Sequence, residues 1–112
     1  MCLFCKIVAT DTPTSFVHED DRLVAFNDIN PQAPTHVLVV PRAHIETLND
    51  LTDANDGLVG EMIRLASTIA ANRGHGASGY RVVLNCNADG GQTIFHIHAH
   101  LLGGRALTWP PG

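Results

Sequence analysis

Only one stretch of this chain carries a helical repeat long enough to organise a domain, and that limits the architectures open to it. Between Asp53 and Arg73, Leu58, Met62, Leu65 and Ile69 recur at helical spacing and form a single apolar face. Thr52 or Asp53 can cap its start, and Gly74 or Gly76 can end it. The other ordered segments are short. Phe16–His18, Leu23–Phe26, His36–Pro41, Tyr80–Asn85 and Ile94–Leu102 read as strands. Turn residues separate them, including Glu19-Asp20-Asp21, Asp28-Ile29-Asn30-Pro31 and Ala88-Asp89-Gly90-Gly91. Cys2 to Val8 reads as a short helix or turn, ended by the Thr10–Pro13 cluster. Strands joined by short turns pair antiparallel, and one apolar helix face covers one sheet face. The expectation is a single α+β domain over residues 1–112, an antiparallel sheet with one long helix packed on it.

At 45% hydrophobic residues the chain can bury a core, yet no apolar run approaches the roughly 20 residues that span a bilayer. The opening Met-Cys-Leu-Phe-Cys-Lys lacks the basic region and length of a secretory signal. A cytoplasmic protein without a membrane partner is expected. The formal net charge is -4, and the lysines and arginines are scattered singly, which argues against a nucleic-acid partner. Any phosphate the chain handles should be held by backbone N–H groups and histidines. The three cysteines, Cys2, Cys5 and Cys86, are an odd number and argue against a disulfide framework.

Seven histidines is a high count for 112 residues, and three of them fall within Phe95-His96-Ile97-His98-Ala99-His100. Strand alternation puts His96, His98 and His100 on one face, roughly 7 Å apart between next neighbours, and Ile97, Ala99 and Leu101 on the other. Such a row can be a solvated face, a metal site, or a catalytic set in which one imidazole attacks while others manage protons. Gly90-Gly91-Gln92-Thr93 directly precedes it. Glycine backbone can approach an anion closely, and Thr93 adds a hydroxyl donor, so the surroundings favour chemistry at phosphate. The Cys2-Leu3-Phe4-Cys5 pair admits three readings: a redox pair, two unrelated buried thiols, or half of a tetrahedral zinc site. No thioredoxin-like βαβ pattern surrounds it, which weakens the first.

The run from Asp89 through Gly90-Gly91-Gln92-Thr93-Ile94-Phe95-His96-Ile97-His98-Ala99-His100 to Leu101-Leu102-Gly103-Gly104-Arg105 resembles the signature of the histidine-triad (HIT) superfamily. The likeness extends through Phe26-Asn27-Asp28-Ile29, Pro31–His36 and Trp109-Pro110-Pro111-Gly112, and it is strongest to the branch of purine nucleoside phosphoramidases. The resemblance implies the HIT fold and a nucleotide hydrolase acting at the α-phosphate of AMP or GMP conjugates. His98 would be the nucleophile, forming a covalent nucleotidyl-histidine, with the His96 carbonyl holding its Nδ1 proton. His36 would join the array from its own strand, and His100 and Thr93 would lie near the leaving group. Asn85, Gln92 and backbone amides such as that of Gly91 would hold the phosphate. Phe26, Asp28 and Ile29 would form the nucleoside pocket, with Asp28 on the ribose hydroxyls, although a turn-capping role explains Asp28 equally well. His18 and His75 read as surface residues. His100 stands where the transferase branch carries Gln, which favours hydrolysis. The alternatives are a low-turnover nucleotide-binding module, a dinucleoside polyphosphate hydrolase, and a zinc-dependent interaction protein.

Similar bacterial proteins with such an N-terminus hold a structural zinc, and the matching positions here are Cys2, Cys5, His44 and His96. A homodimer is also expected. Val59, Ile63, Ala66 and Ala70 widen the apolar surface of the long helix beyond its stripe, and two-fold pairing is the commonest way to cover such surface. Similar proteins join two sheets into one continuous sheet, and the tail bearing Trp109 reaches toward the partner's site.

Overall fold

The computed structural model describes residues 2–9 and 15–112. The long helix starts as a tighter 3-10 turn, Asp53–Asn55, and becomes α-helical as α2, Asp56–Asn72. Thr52 opens the turn: its N–H donates to Asn55 Oδ1 at 2.8 Å and its carbonyl accepts from Asn55 N at 2.9 Å. The three-residue bonding explains why the continuous helix expected from Asp53 begins one turn later. Gly74, at φ 83°, turns the chain away after the Arg73 cap, a conformation that favours glycine. Leu58, Met62 and Ile69 are buried as the periodicity predicts, but Leu65 lies at the rim. Ala66 and Ala70 are buried in its place, so small residues set the close approach of α2 to the sheet. These two alanines therefore do not add to the exposed apolar surface expected of them.

The sheet contains β1 (Phe16–Glu19), β2 (Leu23–Asn27), β3 (Thr35–Pro41), β4 (Tyr80–Val83) and β5 (Ala99–Gly103) in the spatial order β1-β2-β3-β5-β4. Every neighbouring pair is antiparallel. Alternation sorts the side chains into two cores. Leu23, Ala25, Val37, Val39, Ala99 and Leu101 face α2, whereas Val24, Phe26, Leu38 and Val40 face the other way. A second helix, α1 (Leu3–Val8), covers that second face with Phe4, Ile7 and Val8. The sheet is thus covered by helices on both faces, and every residue of β3 is buried.

A six-residue helix cannot persist by itself and needs anchors. One of them is Arg42 at the end of β3. Its guanidinium donates to the carbonyls of Val8 at 2.8 Å and Asp20 at 2.7 Å and reaches Glu19 Oε2 at 3.1 Å. The Thr10–Pro13 cluster, expected to end this helix, lies outside the described residues.

The last strand is shorter than the sequence indicates. Its ladder begins at Ala99, not Ile94, and residues 94–96 form a bend. Ile97 N–H donates to Ile45 O at 2.8 Å, so the segment before β5 is bound to the loop after β3 and not to a ladder partner. The alternation still holds: Ile97, Ala99 and Leu101 are buried under α2 while the histidines face the α1 side. Strand β4 likewise stops at Val83, two residues short of Asn85. Among the described residues, no helix is long and apolar enough to cross a membrane.

Candidate active site and metal cluster

Five histidines meet on the α1 side of the sheet and divide into two groups. His36 on β3 lies opposite Leu102 of β5, two ladder steps from the Leu38–His100 pair, which brings its ring beside that of His100. His36 Nε2 and His100 Nδ1 are 2.9 Å apart. His98 precedes β5 directly, and its ring lies 4.9 Å from that of His100. The two rings therefore stand closer than the strand rise alone implied. His96, two residues earlier, turns into a different cluster.

The hydrogen bonds determine which nitrogens carry protons. His98 Nδ1 lies 2.8 Å from the His96 carbonyl, which can only accept, so Nδ1 bears the proton and Nε2 keeps its lone pair. Gln32 N–H donates to His36 Nδ1 at 3.1 Å, which places the neutral His36 proton on Nε2. That proton points at His100 Nδ1, so neutral His100 carries its own proton on Nε2. The result is a bare imidazole nitrogen on His98 beside a ring that presents an N–H.

Burial favours the neutral form of His98 and His100. It lowers the His98 pKa, against the opposing pulls of the His96 carbonyl and the Asp28 carboxylate. His100 is pushed down to about 4, first by burial and then by the neighbouring His98 and His36, with Asp28 opposing. Asp28 combines two features. Its Oδ1 accepts from Asn30 N–H at 2.8 Å, which is the turn-capping role, while Oδ2 lies 3.5 Å from His36 Nε2.

The remaining predicted substrate residues are placed unevenly. Phe26 is buried in the second core, its ring 5.7 Å from Phe4. Ile29 and Trp109 are exposed, at 101% and 83%, so each has a full apolar surface to offer. Thr93 is exposed and Asn85 half-buried. The glycine-rich loop differs from the expected anion nest. The Gly91 N–H donates to Ala88 O and the Gln92 N–H to Asn87 O, both at 3.0 Å, so these two amides close the loop on itself. The Gln92 side chain is equally committed. Its Nε2 donates to Glu46 O at 2.7 Å and Ile94 O at 3.1 Å, and its Oε1 accepts from Asn87 N–H at 2.9 Å. Gln92 thus shapes the loop instead of presenting a phosphate donor. Gly90 is required for a packing reason, since a Cβ there would lie 2.5 Å from the Cys86 carbonyl oxygen.

The second group contains Cys2, Cys5, His44 and His96, as the resemblance implied. His44 Nδ1 lies 3.6 Å from Cys2 Sγ and 3.2 Å from Cys5 Sγ; His96 Nδ1 lies 3.4 Å and 3.6 Å from the same sulfurs. The two Nδ1 atoms are 3.2 Å apart. A tetrahedral ion bonded to sulfur at about 2.3 Å and imidazole nitrogen at about 2.0–2.1 Å would set sulfur–nitrogen edges of about 3.5–3.6 Å and nitrogen–nitrogen edges of about 3.3–3.4 Å. The donors stand close to those edges, and the cluster fits a metal. His96 Nε2 lies 2.7 Å from the Pro41 carbonyl, which fixes its proton there and leaves Nδ1 for a ligand.

Two residues escaped the sequence reading. His75, just beyond α2, is not a free surface residue. Its Nε2 lies 2.8 Å from Thr35 Oγ1, and its ring fills the space over Gly103, where a Cβ would come within 2.9 Å. It braces the start of β3 one residue from His36. Phe4 packs edge-on to the His98 ring at 4.9 Å and to the His96 ring at 6.0 Å. An apolar residue inside a C-x-x-C pair gives no sequence signal of that contact.

Comparison with known proteins agrees with this geometry. The HIT domain matches residues 9–107. The chain is 46% identical over 105 residues to the purine nucleoside phosphoramidase of Escherichia coli K12, covering 94% of this chain and 88% of that protein. A HIT family hydrolase from Legionella pneumophila Philadelphia 1 superposes with a TM-score of 0.98 at 49% identity, covering 100% of both chains. A zinc-bound histidine triad family protein from Mycobacterium smegmatis superposes at 0.80 with 31% identity, over 93% of this chain and 75% of that one. The chain belongs to the HIT domain family.

Proposed function

We propose that this protein, a HIT-family hydrolase, cleaves purine nucleoside monophosphate conjugates of the phosphoramidate type through a covalent nucleotide on His98. The observation that carries the proposal is the 2.8 Å contact between His98 Nδ1 and the His96 carbonyl, which leaves Nε2 as the attacking nitrogen. Nε2 attacks the α-phosphorus while the bond from phosphorus to the leaving nitrogen breaks. His100 Nε2–H hydrogen-bonds the leaving nitrogen, which takes its proton from solvent and departs as the amine. Water then attacks the same phosphorus and gives up a proton to solvent, and the bond from phosphorus to His98 breaks. The nucleotide leaves and both rings return to their starting protonation. Asp28 is assigned to the ribose hydroxyls, Phe26 and Ile29 to the base, Asn85 to the phosphate and Thr93 to the leaving-group side. The purine preference is supported by the name of the Escherichia coli relative.

The test is a rapidly quenched single turnover with an adenosine phosphoramidate, followed by peptide mass spectrometry. Nucleotide is expected on the peptide bearing His98, at Nε2. Nucleotide on any other residue, or stereochemical inversion at a chiral α-phosphorus, would contradict the double displacement.

Zinc is assigned to Cys2, Cys5, His44 and His96, supported by two sulfurs and two imidazole nitrogens at tetrahedral spacing. With all four positions taken by protein, the ion would cross-link α1 to the His44 loop and to His96, leaving the reaction to the histidines.

A two-fold dimer is assigned to the β4 edge of the sheet. Strand β4 is hydrogen-bonded on one side only, to β5. Tyr80 on that strand and Ile63 on α2 are exposed large side chains, and Val59 is half-buried. The tail is held beside this edge, because Arg81 Nη2 donates to the Thr108 carbonyl at 2.8 Å. Trp109 is then assigned to the border of the neighbour's nucleotide and leaving-group site. Deleting residues 108–112 is expected to change kcat/KM ratios among leaving groups while leaving the melting temperature nearly unchanged. A monomer with full activity at micromolar concentration in sedimentation analysis would overturn the pairing.

A further inference from the structure

Between the two metal-ligand cysteines, helix α1 carries Phe4, and the ring of Phe4 meets the ring of the nucleophile. The centroids are 4.9 Å apart with the planes at 84°, inside the range where edge-to-face pairs attract. Phe4 is buried, and it also packs 6.0 Å from His96 and 5.7 Å from Phe26. Its ring therefore stands between the metal cluster and the attacking imidazole. We propose that Phe4 is a positioning residue for His98, and that through it the geometry of the nucleophile depends on the metal cluster. The inference rests on the nucleophile and zinc assignments above.

Three observations connect the parts. Among the described residues, the His98 ring is tethered by one hydrogen bond, from Nδ1 to the His96 carbonyl. A single tether at Nδ1 leaves Nε2 free to swing, and the flanking rings of Phe4 and His100, each 4.9 Å away, restrict that swing. Helix α1 has only six residues, so the position of Phe4 is set by whatever anchors the helix. Its C-terminal end is held by Arg42 on the Val8 carbonyl. Its N-terminal end is held where Cys2 and Cys5 meet His44 and His96. Phe4 lies one residue from Cys5 and two from Cys2, so release of the sulfurs frees the very turn that carries the ring.

The balance of two anchors gives a specific expectation. Loss of metal releases one end of α1 while the other stays held. Phe4 then loosens from His98 without unfolding the sheet, whose core on the α2 side is untouched. Nucleophile alignment falls while the exposed substrate-facing surface is unchanged, so kcat should respond and KM should not.

The experiment compares wild type and Phe4→Leu, each with zinc bound and after chelation. Leu keeps an apolar side chain in the core but cannot make the edge-to-face contact. Three readouts are taken: zinc content by elemental analysis, the 1H and 15N signals of the His98 ring, and steady-state kinetics with an adenosine phosphoramidate. Phe4→Leu is expected to retain its zinc, shift the His98 ring signals, and lose about tenfold in kcat with KM within about twofold. Chelation of wild type should move the His98 signals in the same direction and lower kcat by a similar factor. Chelation of Phe4→Leu should add little, because both changes break one linkage. Wild-type kcat and His98 signals in Phe4→Leu would overturn the positioning role. Losses from chelation and substitution that multiply would overturn the coupling. Wild type without zinc would refute the metal assignment while the Phe4→Leu comparison still decides the contact. Absence of a His98 adduct in the quenched reaction would separately refute the nucleophile assignment.

Discussion

Replacing His98 by alanine is expected to lower kcat by about 10⁴-fold or more, while nucleotide binding survives. The size of the effect follows from what is lost. Removing the ring removes the bond-forming atom itself, and no neighbour can substitute. His100 points Nδ1 at the His36 Nε2 proton, 2.9 Å away, and carries its own proton on Nε2, so it presents a donor where an attacking nitrogen is needed. His96 points Nδ1 into the cysteine cluster and Nε2 at the Pro41 carbonyl. His98→Asn should behave like His98→Ala, since an amide is a poor nucleophile. His100→Ala should show a different pattern. The Nε2–H of His100 supports protonation of the leaving amine, so its loss should cost about 10²–10⁴-fold, mainly with amine leaving groups that need a proton. With a leaving group that departs unprotonated, His100→Ala should approach wild type and His98→Ala should remain inactive. Near-normal turnover by His98→Ala with any substrate would refute the nucleophile assignment.

Most of the arrangement behind that expectation was legible in the residues. Alternation along Ile97, Ala99 and Leu101 named the buried face correctly, because burial on one side of a strand leaves no freedom in which side chains point inward. The strand boundary was not legible. Ile94–Leu102 has uniform strand-like composition, yet the ladder starts only at Ala99, because the Ile97 amide is taken by Ile45 and His96 is drawn toward Cys2 and Cys5. Those partners lie far away in sequence, so no local pattern encodes the choice. The loop before it misled for a related reason. Two glycines before a histidine row look like an anion cradle, but the pattern cannot say where the N–H groups point, and those of Gly91 and Gln92 point into the loop. The role of α1 was visible only as a pair of cysteines. Its burial of the second sheet face, and the Phe4–His98 contact, are tertiary facts carried by Ile7, Val8 and Phe4, each ordinary as a local signal.

Protein purified without added metal is expected to contain one zinc per chain, and Cys5→Ser or His44→Ala should each lose it. Two sulfurs and two imidazole nitrogens converge with all their separations between 3.2 and 3.6 Å among the four sulfur–nitrogen pairs and the nitrogen–nitrogen pair. The His96 Nδ1 lone pair is aimed into that space because Nε2 is committed to Pro41 O, and His96 is buried. A set of lone pairs facing one another is stabilised by a cation at their centre, and a soft sulfur–imidazole set selects zinc over magnesium or calcium. Structural zinc sites are worth about 10–16 kcal/mol in apparent binding free energy at neutral pH, far more than α1 could gain from six residues of helix. Loss of one ligand should therefore release the ion and loosen the cysteine end of the helix. The measurable consequences are zinc below about a tenth of an equivalent, faster amide exchange across Leu3–Val8, and a lower melting temperature. Amide exchange across α2 should change far less, since its core lies on the opposite face of the sheet. A sub-stoichiometric zinc content in wild-type protein, with Leu3–Val8 nevertheless protected, would show that the core contacts of Phe4, Ile7 and Val8 hold α1 without a metal.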